Sequence, residues 1–141
     1  MDFGSRRIGL AISDATGITA QGIATMERRN RRSDFDYIER VIKKHAVTEI
    51  VLGLPLKLSG EAGTQAEKVK LFAAELERRF ELPVRLWDER LTSAEAHRLL
   101  DETEMHHTRR KEVIDQMAAV LILQSFLQAR AARMEHPEST S

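Results

Sequence analysis

The run Glu49-Ile50-Val51-Leu52-Gly53-Leu54 constrains this chain more than any other segment. Its apolar residues are continuous rather than alternating, the pattern of a strand covered on both faces. Such a strand needs helices above and below it, and the flanking segments supply them. Ser33-Asp34 can cap a helix over 34–46 whose apolar stripe is Phe35, Ile38, Val41 and Ile42. A second helix over about 64–80 carries Val69, Phe72, Ala73, Leu76 and Phe80 on one face.

The remaining segments extend this pattern. Residues 8–13 and 21–27 read as strands, and the turn Asp14-Ala15-Thr16-Gly17 between them suits an antiparallel hairpin. Pro83 introduces a strand over 84–88. Thr92 and Glu95 form a capping box for a helix over about 93–102. Residues 103–111, with His106-His107, read as an exposed, mobile surface segment. A last helix over about 111–134 is apolar nearly all round in its first half and is expected to be buried. The tail from Glu135 is expected to be disordered. The order predicts one α/β domain over 1–134, a mixed sheet with helices on both faces. Right-handed crossovers bring strands 49–54 and 84–88 alongside the first strand and parallel to it. Ligands of such sheets bind beyond the carboxyl ends of the parallel strands.

Three acidic positions fall at that end: Asp2, the pair Asp88-Glu89, and Asp115. Carboxylates brought together without compensation repel one another, and a divalent cation is the simplest remedy. Hard oxygen ligands suit Mg²⁺ or Mn²⁺. Asp88 and Glu89 are adjacent on a strand and so point to opposite faces, with Glu89 favoured as the ligand. Each acid also has a plainer reading. Asp2 before a glycine suits a turn, and Asp115 in a first helical turn would gain from the macrodipole. The losing member of Asp88-Glu89 would pair with Arg85 or Arg90. Among basic residues, Arg6, Arg7 and Arg90 are candidates for substrate phosphate, and strand alternation allows only one of Arg6 and Arg7 to face it. Lys57 lies in a loop leading to a helix N-terminus, where backbone N–H groups can hold an anion. Thr92 is sufficiently explained as a cap, and Trp87 as core.

Composition sets the limits. The 22 basic and 22 acidic residues cancel, which argues mildly against a non-specific grip on long nucleic acid. Basic residues nevertheless cluster at Arg6-Arg7, at Arg28-Arg29 with Arg31-Arg32, and at Arg109-Arg110-Lys111, either as solvated surface or as phosphate contacts. The chain has no cysteine, which excludes disulfides and thiolate zinc sites and fits a reducing cytoplasm. No stretch approaches the roughly 20 apolar residues of a membrane helix, and Met1-Asp2-Phe3-Gly4 lacks the features of a secretory signal. A cytoplasmic protein with no membrane partner is expected.

Four segments in order carry a resemblance: Asp2-Phe3-Gly4-Ser5-Arg6-Arg7-Ile8-Gly9-Leu10-Ala11-Ile12-Ser13-Asp14, Val51-Leu52-Gly53-Leu54-Pro55-Leu56, Asp88-Glu89-Arg90-Leu91-Thr92-Ser93, and Val113-Ile114-Asp115-Gln116-Met117-Ala118-Ala119-Val120-Leu121-Ile122-Leu123. Together they resemble the YqgF/RuvX family of bacterial pre-16S ribosomal RNA nucleases and Holliday-junction-resolvase-like proteins. The resemblance implies a ribonuclease H-like fold with a mixed five-stranded sheet. It implies metal-assisted phosphodiester hydrolysis, with catalytic acids at Asp2, within Asp88-Glu89 and at Asp115. Precursor 16S ribosomal RNA is the expected substrate, a pre-ribosomal particle a further partner, and monomer or homodimer the assembly. The alternatives are a resolvase of four-way DNA junctions, a nucleotide-binding phosphotransferase or ATPase suggested by the Asp2-Phe3-Gly4 turn, and a non-catalytic RNA-binding module. In one respect the chain departs from the family. Relatives carry several apolar residues ahead of the first acid, whereas here Met1 directly precedes Asp2, so the first strand is expected to be nearly absent and Asp2 poorly held.

Overall fold

The computed structural model describes residues 1–56, 59, 62–89 and 107–135, with backbone alone over 107–113. The described elements are β1 (Asp2–Phe3), β2 (Arg7–Ser13), β3 (Ala20–Glu27), α1 (Arg31–His45), β4 (Ile50–Leu54), α2 (Thr64–Phe80), β5 (Val84–Asp88) and α3 (His107–Glu135). β1, β2 and β3 form an antiparallel sheet, and β4 and β5 pair in parallel. The hairpin turn is closed by Asp14, whose carboxylate accepts from the Ile18 and Thr19 amides and the Thr19 hydroxyl. Gly17 provides the left-handed residue there, at φ 70°.

Side-chain alternation divides the core. Ile8 and Leu10 of β2 and Ile50 and Leu52 of β4 pack with Phe35 and Ile38 of α1 and with Val69, Ala73 and Leu76 of α2. Three tilted ring contacts knit this layer: Phe3–Phe72 at 4.4 Å, Phe35–Phe72 at 5.6 Å and Phe35–Phe80 at 6.1 Å. The other face carries Gly9, Gly22 and Gly53, and α3 lies on it. A Cβ on Gly9 would overlap the backbone carbonyl of Asp115, and one on Gly22 would overlap the Gln116 side chain. The glycines therefore let α3 rest directly on backbone. Gln124 ties the helix to the hairpin, accepting from the Ala20 amide at 3.0 Å and donating to the Ile18 carbonyl at 3.0 Å.

Several expectations need correction. α1 begins at Arg31, and its cap is Asn30, which accepts the Ser33 amide at 2.9 Å; Ser33 itself is already helical. Residues 107–111 are helical, because α3 begins at His107 rather than near 111, and it runs through Glu135. In α3, Ala119, Ile122 and Leu127 are fully buried, while the intervening residues are half-buried. A helix lying on an outer face buries only the stripe turned to the sheet. The helix expected over 93–102, with Thr92 and Glu95, lies outside the described residues, as does the tail beyond Glu135. Among the described residues no helix is long and apolar enough to cross a membrane.

The expected five-stranded sheet is instead a three-stranded and a two-stranded sheet. β1 pairs with β2 through Asp2 and Phe3. Among the described residues the backbone hydrogen bonds between the two sheets are made by Met1, its amine donating to the Val51 carbonyl at 2.7 Å and its carbonyl accepting from the Gly53 amide at 3.0 Å. Beyond Met1 a cavity of about 720 Å³ separates Leu10 and Ile12 of β2 from Ile50 and Val51 of β4, with Ile38 of α1 and Leu127 of α3 on its two faces. Its lining mixes these apolar side chains with polar ones, among them His45, Glu49 and Arg130. Extending the chain by about five apolar residues ahead of Met1 should fill this slot and raise the melting temperature by several degrees; an unchanged melting temperature would contradict that reading. Gly9→Ala, whose methyl meets helix backbone rather than a flexible side-chain end, should cost about 2 kcal/mol or more in urea unfolding. A wild-type midpoint would show that α3 does not rest on Gly9.

Candidate active site

Asp2 stands opposite Gly9 in the β1–β2 ladder, and directly paired residues share a face. That face is the one under α3. A Cβ on Gly53 would lie 2.6 Å from Glu89 Oε1 and 2.6 Å from Ile122 Cδ1, so the Glu89 carboxyl occupies the same side. Asp115 joins them through its helix, since Asp115, Ala119 and Ile122 recur at the spacing of one helical face. β1, the residue just after β5 and the third turn of α3 thus bring Asp2, Glu89 and Asp115 to one side. By alternation Asp88, the last residue of β5, faces the other way.

The acids form two pairs there. Glu89 hydrogen-bonds Asp2, and its carboxyl is pushed up to about 8. Burial is the main cause, followed by the bond to Asp2 and by the negative charges of Asp2 and Asp88, while the Met1 amine pulls the other way. Asp115 Oδ2 accepts from Arg7 Nε at 2.8 Å, with both side chains about a quarter exposed (24% and 25%). Among the described residues no three acidic or histidine side chains are gathered closely enough to share a cation. The Asp2–Glu89 oxygens nonetheless suit a hard divalent ion chemically, because a cation could replace the proton between them.

The other candidates fall as follows. Arg7 lies on the acid side and Arg6 is exposed at the turn, its carbonyl accepting from the Arg28 amide at 2.8 Å. Lys57 and Arg90 lie outside the described residues. Arg85 does not serve the acid pair: its Nε donates to Glu49 Oε2 at 2.9 Å, and Arg130 grips the same carboxylate. Asp115 is not a first-turn acid, because α3 starts eight residues earlier, so the macrodipole does not account for it. Trp87 packs edge-on against Phe126 at 5.6 Å and donates to Ser125 Oγ at 3.1 Å, as befits a core residue. Sequence reasoning missed Gly9 and Gly53, the seats for Asp115 and Glu89; the available signal was glycine inside two otherwise apolar strands.

Comparison with known proteins decides the family. The model of the family described as "RuvX: Holliday junction resolvase" matches residues 1–129. This chain belongs to the RuvX family. It is 52% identical over 140 residues to a Koribacter versatilis protein named "Putative pre-16S rRNA nuclease", covering 99% of this chain and 92% of that one. A protein of the same name from Thermoanaerobacter pseudethanolicus is 44% identical over 131 residues, covering 92% and 94%. Another from Halalkalibacterium halodurans is 46% identical over 129 residues, covering 90% and 92%.

The Glu89 shift gives this RuvX chain a measurable signature. The folded protein keeps a proton on Glu89 between its ordinary value of 4.5 and about 8, where the unfolded chain has released it. The favourable contribution is therefore complete below about pH 4.5 and is lost as pH rises through about 8, with a slope on the order of 1 kcal/mol per pH unit. Glu89→Gln keeps a hydrogen bond to Asp2 but does not titrate, so it should remove this contribution. The Met1 amine, lowered by burial from 8.0 to about 6, adds an opposite slope between about pH 6 and 8 in both proteins. Urea unfolding from pH 5 to 8.5 without divalent ions tests this; identical slopes for both proteins would contradict it.

Proposed function

We propose that this chain is a metal-dependent nuclease that hydrolyses phosphodiester bonds in RNA, processing the 5′ end of precursor 16S ribosomal RNA during ribosome biogenesis. The observation that carries the proposal is the pairing of Asp2 with Glu89, two half-buried carboxyls from distant segments that hydrogen-bond each other. The names of the relatives supply the substrate class. In this reading the two sheets are halves of one ribonuclease H-like sheet, ordered β3-β2-β1-β4-β5 and joined at Met1. Asp2, Glu89 and Asp115 would hold Mg²⁺ or Mn²⁺, with Asp88 nearby on the opposite strand face.

When bound, the metal supplies an activated water and offsets charge on the phosphate and leaving oxygens. The protein's own groups do the rest. Ionised Asp2 and Glu89 orient the water. In hydrolysis the water oxygen adds to phosphorus as the bond to the leaving nucleotide breaks. The proton the water gives up passes to solvent, and the departing oxygen keeps the electron pair and takes a proton back from solvent. Arg7 holds Asp115 on the acid side, where Asp115 would serve as a further ligand and Arg7 would face the nonbridging phosphate oxygens. Arg6, Lys57 and Arg90 would extend that contact along the substrate. No nucleophilic side chain is required.

Asp2→Asn should abolish cleavage of precursor ribosomal RNA in Mg²⁺ or Mn²⁺ with little loss of RNA binding; wild-type cleavage by that variant would remove the proposal. A second reading follows from the family description, a resolvase of four-way DNA junctions. The metal centre acts on the phosphate common to both nucleic acids, so recognition lies in the 2′-OH or in shape. Incubation of both substrates in parallel, with EDTA as control, separates the two readings. The resolvase further requires a two-fold dimer in solution.

A further inference from the structure

On the face away from α3, a groove of about 580 Å³ runs between the start of α1 and the stretch of α2 from Gln65 to Glu75. Its wall begins at Phe3, one residue from Asp2, and passes Ser5. Four basic residues line it, Arg28, Arg29, Arg31 and Lys68, against the acids Asp34 and Glu75. We propose that this groove is a binding track for the phosphate backbone of single-stranded RNA leading away from the acid pair. The inference rests on the nuclease reading for what the acids do, but the groove's own binding can be measured without cleavage.

The basic residues divide by role. Arg28 builds the wall: its guanidinium lies 4.5 Å above the Phe3 ring, donates to the Gly4 carbonyl at 3.0 Å and approaches Asp34 at 4.0 Å. Arg31 is bridged to Glu75 at 2.7 Å, tying α1 to α2 across the groove. The two acids are thus engaged by these two arginines. Arg29 and Lys68 are exposed and make no ion pair among the described residues. The Arg29 amide is nonetheless fixed by Asp34 Oδ1 at 3.0 Å, so its side chain projects from an anchored backbone.

Two further features match a polynucleotide rather than a small anion. Leu71, 72% exposed, also lines the groove, so apolar surface for bases adjoins cations for phosphates. The cap of α2 is Gly63, with no side chain bonded to the first-turn amides, and Gln65 and Lys68 carry that turn into the groove. At the turn that joins the acid side to the groove, Gly4 donates to the Arg7 carbonyl at 2.9 Å, and a Cβ there would sit 2.6 Å from the same oxygen. The backbone is drawn in tightly where a strand of RNA would pass, with exposed Arg6 at its rim.

The test is RNA affinity by fluorescence anisotropy in EDTA, using an unstructured 12-nucleotide RNA at several salt concentrations. Arg29→Ala/Lys68→Ala should weaken binding roughly tenfold at 0.1 M salt and reduce the salt slope by about 1.4, the share of two single-strand phosphates. Lys68→Glu alone should weaken it in the same direction, and Lys44→Ala, at the far end of α1, should leave it unchanged. Thermal melts confirm folding, which these exposed positions should not disturb. Undiminished affinity and salt slope in the double variant would overturn the proposal, and so would a loss seen only with a four-way DNA junction. If the wild-type protein cleaves no RNA, the nuclease reading falls, while this binding result still stands or fails by itself.

Discussion

Two half-buried carboxyls, those of Asp2 and Glu89, are held together between a helix and a sheet, where partial burial and the neighbouring charge favour a proton on Glu89. Everything else near them serves that contact. Gly53 has no side chain, so the Glu89 carboxyl can lie over β4. Gly9, paired with Asp2, is bare for a related reason: the backbone of α3 at Asp115 lies on it. A methyl at either position would push apart the pieces that bring the acids together. The energetic tension is plain, since burial and proximity both favour a neutral Glu89. Such tension is the usual mark of a site whose charge is meant to be met by something else.

Arg7 shows how the tension is managed in this structure. Its guanidinium engages Asp115, the third acid on that side, at 2.8 Å. One carboxylate is thus met by a cation of the protein itself, and the other two share a proton. The arrangement draws on residues spread from position 2 to position 115, and β1 is the thinnest support among them. It contributes a two-residue ladder to β2 and, through Met1, two hydrogen bonds to β4. A cavity lies between β2 and β4 beside Met1, next to the paired acids.

Much of this was legible in the chain. The unbroken apolar run at 50–54 required cover on both faces, and α2 with its Val69, Ala73 and Leu76 stripe and α3 provide it. Alternation required that only one of Asp88 and Glu89 face Asp2, and the hydrogen bond to Asp2 falls to Glu89. Asn30 took the cap from Ser33 because both residue types suit an N-cap and they lie three positions apart, so only backbone geometry chooses between them. The start of α3 was misplaced because no apolar period marks residues 107–111. The close approach at Gly9 and the engagement of Asp115 by Arg7 were beyond reach, since both depend on the distance between elements far apart in sequence. The basic tract at Arg28–Arg32 was visible as charge, but not its division into wall-building and unpaired members.

The account turns on Glu89 and Asp2 sharing a site that a divalent cation can take over from a proton. Carboxyl-carbon NMR of the labelled protein, titrated with and without Mg²⁺, measures this directly. Glu89 should titrate near 8 in the metal-free protein and shift well below 7 when Mg²⁺ is added. A Glu89 that titrates in the ordinary carboxylate range and ignores Mg²⁺ would contradict the account.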